Sequence, residues 1–261
     1  MNASTASEIR SKARKALFVP GKVPLYLFPV ILYIISPLIL FEISTSIFRV
    51  FMHQAFPVDI IFWGLGLLSF FLLTSANFAL LDSLRGYREK VGISDNGIAF
   101  SKEIFGKLFA TSLVKWFYLI LWMWPTGIAI LYLLYEIKYG FYAPGIWANV
   151  VVVIFFSFIF GGIILSIIKS YSYSMTSYIL YDQIKNGTYT NPNNVIKRSK
   201  ELMDGNRWRY FCLQFSFIGW NVLAYIFWAI MNFYVFPYRQ AAQIVFYEEL
   251  LELERKSQLL K

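Results

Sequence analysis

IWANVVVVIFFSFIFGGIILSII, running from Ile146 to Ile168, decides how the rest of the chain is read. It contains the aliphatic and aromatic run Val150 to Phe156 and the pair Gly161-Gly162, and no charged side chain. A helix needs about 20 mostly apolar residues to cross roughly 30 Å of hydrocarbon, and only a segment that satisfies its own backbone hydrogen bonds can do so. This stretch meets the requirement. Moving outward, the chain is 58% hydrophobic and 20% aromatic but only 15% charged, far from the soluble norm.

Similar segments lie on both sides. A first span is expected at about Val23 to Ile43, kinked by Pro24, Pro29 and Pro37, because each proline removes a backbone donor and clashes one turn back. A second covers about Ile60 to Leu81, and a third about Leu113 to Tyr135 with Pro125 in its middle. The quoted stretch is the fourth. Tyr210 to about Leu251 is too long for one span of ordinary tilt and carries Arg239, Gln240 and Gln243. It is one span ending near Pro237 or two that turn near Trp228 to Asn232, and two would return the charged tail to the cytoplasm.

Charge placement orients these segments. All but three of the 24 Lys and Arg residues fall in segments that a six-span arrangement puts on the cytoplasmic side; Arg49, Lys138 and Arg239 are the exceptions. The reading is therefore all-α, a polytopic helical membrane protein with about six transmembrane helices and cytoplasmic amphipathic helices. It forms a single membrane domain over residues 1–261. A cytoplasmic basic tail at 1–22 precedes four spans at 23–168, which enclose a cytoplasmic segment at 82–112. A cytoplasmic polar segment at 169–209, one or two final spans at 210–251 and a charged tail at 252–261 complete it. Both termini are expected in the cytoplasm and the chain in the cell membrane. The basic tail before an apolar run looks like the start of a signal peptide, but no small-x-small site follows, so it reads as the first anchor.

Three amphipathic stretches lie between the spans. Ile9, Ala13 and Leu17 recur beside Arg10, Arg14 and Lys15, and Ile98, Ile104, Phe105, Leu108 and Phe109 form a stripe opposite Lys102, Glu103 and Lys107. Both are expected to lie on the inner membrane surface. A third helix starts at Asn191-Pro192, with Asn as N-cap and Pro first in the helix, and continues through Val195, Ser199, Leu202 and Met203.

Several function classes are disfavoured. The net charge of +9 is divided among loops rather than gathered on one folded face, which speaks against nucleic acid. With one cysteine, Cys212, and one histidine, His53, the chain can build neither an intramolecular disulfide nor a Cys/His metal cluster. No Gly-rich phosphate loop, GxSxG elbow or HExxH motif is present. No cofactor, metal or catalytic set is expected.

Candidate functional residues fall in two groups. Asn77, Asn149, Asn221 and Arg239, with Gln214, Asn232 and Gln243, are polar groups in apolar surroundings, which either line a pathway or bond across helices. If the first four line one water-filled space, transport or catalysis gains; if they are scattered and paired, a scaffold does. Lys169, Arg207, Trp208 and Arg209 would sit at the inner headgroup boundary, the cations on phosphates and the indole at glycerol level. Gly162, Ser166, Ser170 and Ser174 recur every four residues and would form a strip for close helix approach.

A resemblance adds to this. Lys169-Ser-Tyr-Ser-Tyr-Ser-Met-Thr176 with Tyr178 and Asp182, then Ser199-Lys-Glu-Leu-Met-Asp-Gly-Asn-Arg-Trp-Arg209 followed by Ser216-Phe-Ile-Gly-Trp220, then Pro237-Tyr238 with Phe246-Tyr247, is similar to the bacterial family catalogued as domain of unknown function 975. Leu165-Ser166 stand where that family usually has a proline-glycine pair. The resemblance implies a helical integral membrane protein of Gram-positive type cells, most often with six spans, and carries no activity with it. The functional expectation is a non-catalytic protein acting through membrane lipids, with anionic headgroups on the cytoplasmic face, or through membrane protein partners, as an envelope scaffold, stress or immunity factor. A small transporter or exporter component, and an intramembrane enzyme, are the alternatives.

Overall fold

The structure is a computed structural model that describes residues 3–17, 21, 24–32, 34, 35, 41, 45, 57–139 and 146–259, with side chains set aside at 57–60, 136–139, 146–149, 152, 225, 226 and 228–230. All regular structure among the described residues is helical. In chain order the elements are α1 (Ala6–Ala16), α2 (24–32), α3 (Pro57–Leu84), a 3-10 helix η1 (Ile93–Phe100), α4 (Phe105–Trp122), α5 (Trp124–Tyr139), α6 (Ile146–Ser172), α7 (Thr176–Lys185), α8 (Pro192–Leu202), α9 (Arg207–Phe215), α10 (Ile218–Ile226) and α11 (Trp228–Leu259). They fall into two compact units, one of Met1–Gly106 with Trp208–Lys261 and one of Lys107–Arg207.

The second half of α11 organises the first unit. Ala241, Ala242, Ile244, Phe246, Tyr247 and Leu250 are all buried there. Helix α1 begins with a reciprocal cap, in which the Glu8 amide donates to Thr5 Oγ1 and the Thr5 amide to Glu8 Oε2. It lays Ile9, Ala13 and Leu17 against α11, where they are 1%, 0% and 4% exposed. The expectation that this stripe lies on the membrane surface is corrected: the apolar face is used up inside the protein. Helix α3 also runs beside α11, and η1 packs on α3. Gly21, at φ +86°, brings its Cα against the Val91 carbonyl, and an added Cβ would stand 1.6 Å from that oxygen.

The expected surface helix around residues 98–109 is also corrected. Gly92 N donates to Asp95 Oδ2 (2.9 Å) and Ala99 N to Ser75 Oγ (2.9 Å), which holds Ile93–Phe100 as a 3-10 helix. A turn follows, and α4 leaves at 72° to η1. The side-chain hydrogen bonds to η1 outweigh the helical periodicity read across the break.

In the second unit α5 and α6 pack together, and α7 on α8. Gly162 is the point of closest approach: a Cβ there would lie 2.2 Å from Thr126 Oγ1 and 2.8 Å from its backbone nitrogen. Ser166 donates to the Gly162 carbonyl (2.8 Å), Ser170 to Ile167 and Ser174 to Tyr171, so those hydroxyls bond within their own segment. The small-residue strip thus narrows to one glycine. Helix α8 starts as expected, with Asn191 Oδ1 accepting from Asn194 N (2.8 Å), Pro192 first in the helix, and Val195, Ser199, Leu202 and Met203 buried.

Fewer continuous spans appear than six. Among the described residues, two stretches are long and apolar enough to cross a membrane, Ile61–Leu84 and Val153–Lys185, and the bent pair η1–α4 makes a third if it crosses as one. The reasons are local. The expected third span divides at Met123, where Pro125 cannot donate and Met123 N takes the tighter bond to Ile120 O (2.9 Å). The final region breaks at Phe227, whereas Trp228 to Asn232, where two spans were expected to turn, lie inside α11; α9 and α10 have nine residues each and α11 carries too many polar groups. Residues 23, 33, 36–40, 42 and 43 of the expected first span, and His53, lie outside the described residues.

Gly162→Ala is expected to lower stability by about 1–3 kcal/mol, since the α5–α6 contact must open. Gly161→Ala, with nothing near its added Cβ, should be neutral or mildly stabilising. Thermal unfolding of both variants in detergent checks the contrast.

Candidate functional site

The candidate site is built at the C-terminal end of α6, a long apolar helix. Lys169 is the basic residue of its last turn, a position that complements the helix dipole. Its Nζ lies 3.9 Å from the centroid of the Trp122 ring at the end of α4, a cation–π contact. Lys200 on α8 and Arg207 at the start of α9 add positive potential at the same point. The two walls are tied by Ser199, fully buried, whose hydroxyl donates to the Ser172 carbonyl at 3.0 Å.

Arg207 donates from Nη2 to Asp204 Oδ1 at 3.1 Å, but that carboxylate is 78% exposed, so the pair contributes little and leaves the cation usable. Its Nε is buried with no partner. The arrangement suits an oxyanion: Lys169 stands over an indole and feels the positive charge of Lys200 and Arg207. It offers no nucleophile or base beside an electrophile, and no group of three or more His, Cys, Asp or Glu gathers among the described residues.

The other expected headgroup residues separate. Trp208 is 71% exposed and stacks on Phe211, ring centroids 5.0 Å apart. Arg209 turns inward instead. It pairs with Glu249, itself 7% exposed, and donates to the Ser4 carbonyl (3.1 Å), while Ser4 N donates to Glu249 Oε1 (2.8 Å). Its position next to Trp208 in sequence suggested phosphate contact; the buried carboxylate explains why it is directed elsewhere, since an uncompensated charge there would be costly.

Among the described side chains, Asn77, Asn221 and Arg239 are not seen to line a shared space. Asn77 is buried and satisfied on both sides: Tyr26 OH donates to its Oδ1 (3.1 Å) and its Nδ2 donates to Gln240 Oε1 (3.0 Å). Arg239 is half-buried with its guanidinium 5.9 Å from the Phe236 ring, and Asn221 is exposed. Asn149 lies outside the described side chains. An open apolar groove of about 360 Å³ between α5 and α6, lined by Ile128, Tyr132, Phe155 and Phe158, brings no polar group with it.

Trp122 and Lys200 were missed as partners of Lys169. No spacing links residues 122, 169 and 200; the only signal was their charge or indole at the edge of an apolar run.

Glu249→Gln should cost roughly 1–3 kcal/mol, reduced from the fully buried case because Arg209 keeps some solvent contact, and should make the N-terminal segment more protease-sensitive. Glu252→Gln, on an exposed position, should leave both unchanged.

No curated protein and no solved structure matches this chain. A family model described as "Protein of unknown function (DUF975)" matches residues 1–254. The resemblance seen in the C-terminal third thus extends over nearly the whole sequence, and the chain belongs to this family.

Proposed function

We propose that the chain is a non-catalytic, multi-pass protein of the cell membrane that holds anionic lipid headgroups on its cytoplasmic face and serves partners as an envelope scaffold. The observation that carries this reading is Lys169 standing over Trp122 at the end of α6, within electrostatic reach of Lys200 and Arg207. Cations beside an indole at the end of an apolar helix match the headgroup layer in both charge and depth.

The surfaces around the site support it. On α4, Leu113, Trp116, Phe117, Ile120 and Leu121 are each more than half exposed, while Leu108 and Thr111 on the opposite side are buried. A continuous apolar face of that kind is unfavourable in water and at ease in hydrocarbon. Six spans would complete this arrangement, with α2 and the residues after it as the first. The separation of Asn77, Asn221 and Arg239, and the internal pairing of Asn77, favour a scaffold over a transport path.

The test is lipid retention by the full-length protein in neutral detergent, followed by mass spectrometry. The wild type should carry anionic phospholipid in preference to zwitterionic. Replacing Lys169, Lys200 and Arg207 together by Gln removes about 1 kcal/mol per cation, so the preference should fall on the order of a hundredfold. An unchanged lipid profile in that variant would overturn the reading.

A further inference from the structure

We infer that the inward side of α4 carries a second binding site, for the phosphate group of a lipid, built on Lys115 and Thr111 with Tyr118 beside them. It lies apart from the Lys169 cluster, and rests on the membrane reading above only for the source of the phosphate.

Lys107, Thr111, Lys115, Tyr118 and Trp122 recur at intervals of four, four, three and four, which places them along one side of α4. The opposite side is the exposed apolar face. Side chains from other helices bridge to this inward row at its ends. Lys107 Nζ is 5.2 Å from the Tyr189 ring, Tyr118 OH donates to Asn193 Oδ1 at 3.2 Å, and Trp122 lies under Lys169. Thr111 and Lys115 sit between these bridges.

Both carry unused capacity. Thr111 is 2% exposed and its hydroxyl is buried with no partner. That is anomalous in a long helix, where a threonine or serine can always donate to a carbonyl one turn back. Thr74, Ser75, Ser157, Ser166 and Ser172 of this chain all do so, at 2.7–3.0 Å. Lys115, one turn further on, is half-buried and forms no ion pair or hydrogen bond among the described residues. An ammonium and a hydroxyl on adjacent turns of one face are donors that call for an oxyanion, and Tyr118 brings a phenol to the same edge. A phosphate supplies several acceptor oxygens in a tetrahedral array, so it can meet Lys115 and Thr111 at once. Lys107 and Lys169, at the two ends of the row, favour the same sign of charge.

The test is calorimetric titration of the full-length protein in neutral detergent with dioctanoyl phosphatidic acid, dioctanoyl phosphatidylcholine and inorganic phosphate. Phosphatidic acid should bind at least tenfold more tightly than phosphatidylcholine. Lys115→Gln should weaken it about tenfold and Thr111→Val about threefold, with Lys115→Arg close to wild type. Because both groups are unpartnered in the fold, neither Lys115→Gln nor Thr111→Val should lower Tm. Wild-type affinity in Lys115→Gln overturns the site, as does a fall in Tm for both variants without a change in affinity.

The headgroup cluster is tested separately by the triple Gln variant at Lys169, Lys200 and Arg207. Loss there with Lys115→Gln unaffected overturns the α4 site and leaves the headgroup reading standing; the reverse pattern does the opposite. Inorganic phosphate binding as tightly as phosphatidic acid, with the same dependence on Lys115, supports the site and identifies a soluble phosphate as its source.

Discussion

A carboxylate placed inside a helix bundle must be answered by a cation and by hydrogen-bond donors, or the bundle does not form. Glu249 is that carboxylate. Its Oε1 accepts from the Ser4 amide and from Arg209, so one buried oxygen gathers the start of the chain, the start of α9 and the C-terminal half of α11. Residues separated by up to 245 positions are brought together by it. Everything else in the first unit follows the line it sets: Tyr238 donates to the Arg10 carbonyl (3.2 Å), Gln240 accepts from Asn77, and Glu248 accepts from Arg85 at 2.7 Å. Tyr238 and Glu249 are about 16 Å apart along α11 at 1.5 Å per residue. Helices α1 and α3 therefore run beside α11 over several turns.

That geometry changes the meaning of several residues. Asn77, which could have lined a path through a membrane, becomes the partner of Gln240, with Tyr26 as a third. Leaving any of the three alone would strand a buried polar atom, at about 1–3 kcal/mol. Arg209 is withdrawn from the surface in the same way. The cations proposed for outside ligands have neutral or exposed neighbours instead: Lys169 over an indole, Lys200 on an exposed position of α8, Arg207 beside an exposed aspartate, and Lys115 on the inward side of α4.

The second unit rests on closeness rather than charge. Gly162 lets Thr126 approach α6 within a distance that a Cβ would forbid, and Thr126 Oγ1 reaches the Ile159 carbonyl at 3.3 Å. The aromatic and aliphatic residues outside that contact remain exposed. Such a pair has little core of its own, and hydrocarbon around it would supply the contacts that a soluble protein finds inside.

The sequence alone determined the helical class, the apolar stretch before Lys169, the cap of α8 at Asn191-Pro192 and the family. Each depends on neighbours a few residues apart, where periodicity, proline chemistry and capping act locally. Tertiary structure decided what no local pattern encodes. It showed that the stripe of α1 is covered by α11, that residues 93–100 wind as a 3-10 helix because Ser75 and Asp95 hold them, and that the Pro125 segment is two helices. It also turned Arg209 inward while Lys169 met Trp122 and Lys200. These outcomes depend on which buried group each side chain reaches across the fold, a matter of three-dimensional proximity and of pairing desolvated charges and donors, and spacing along the chain carries no record of it.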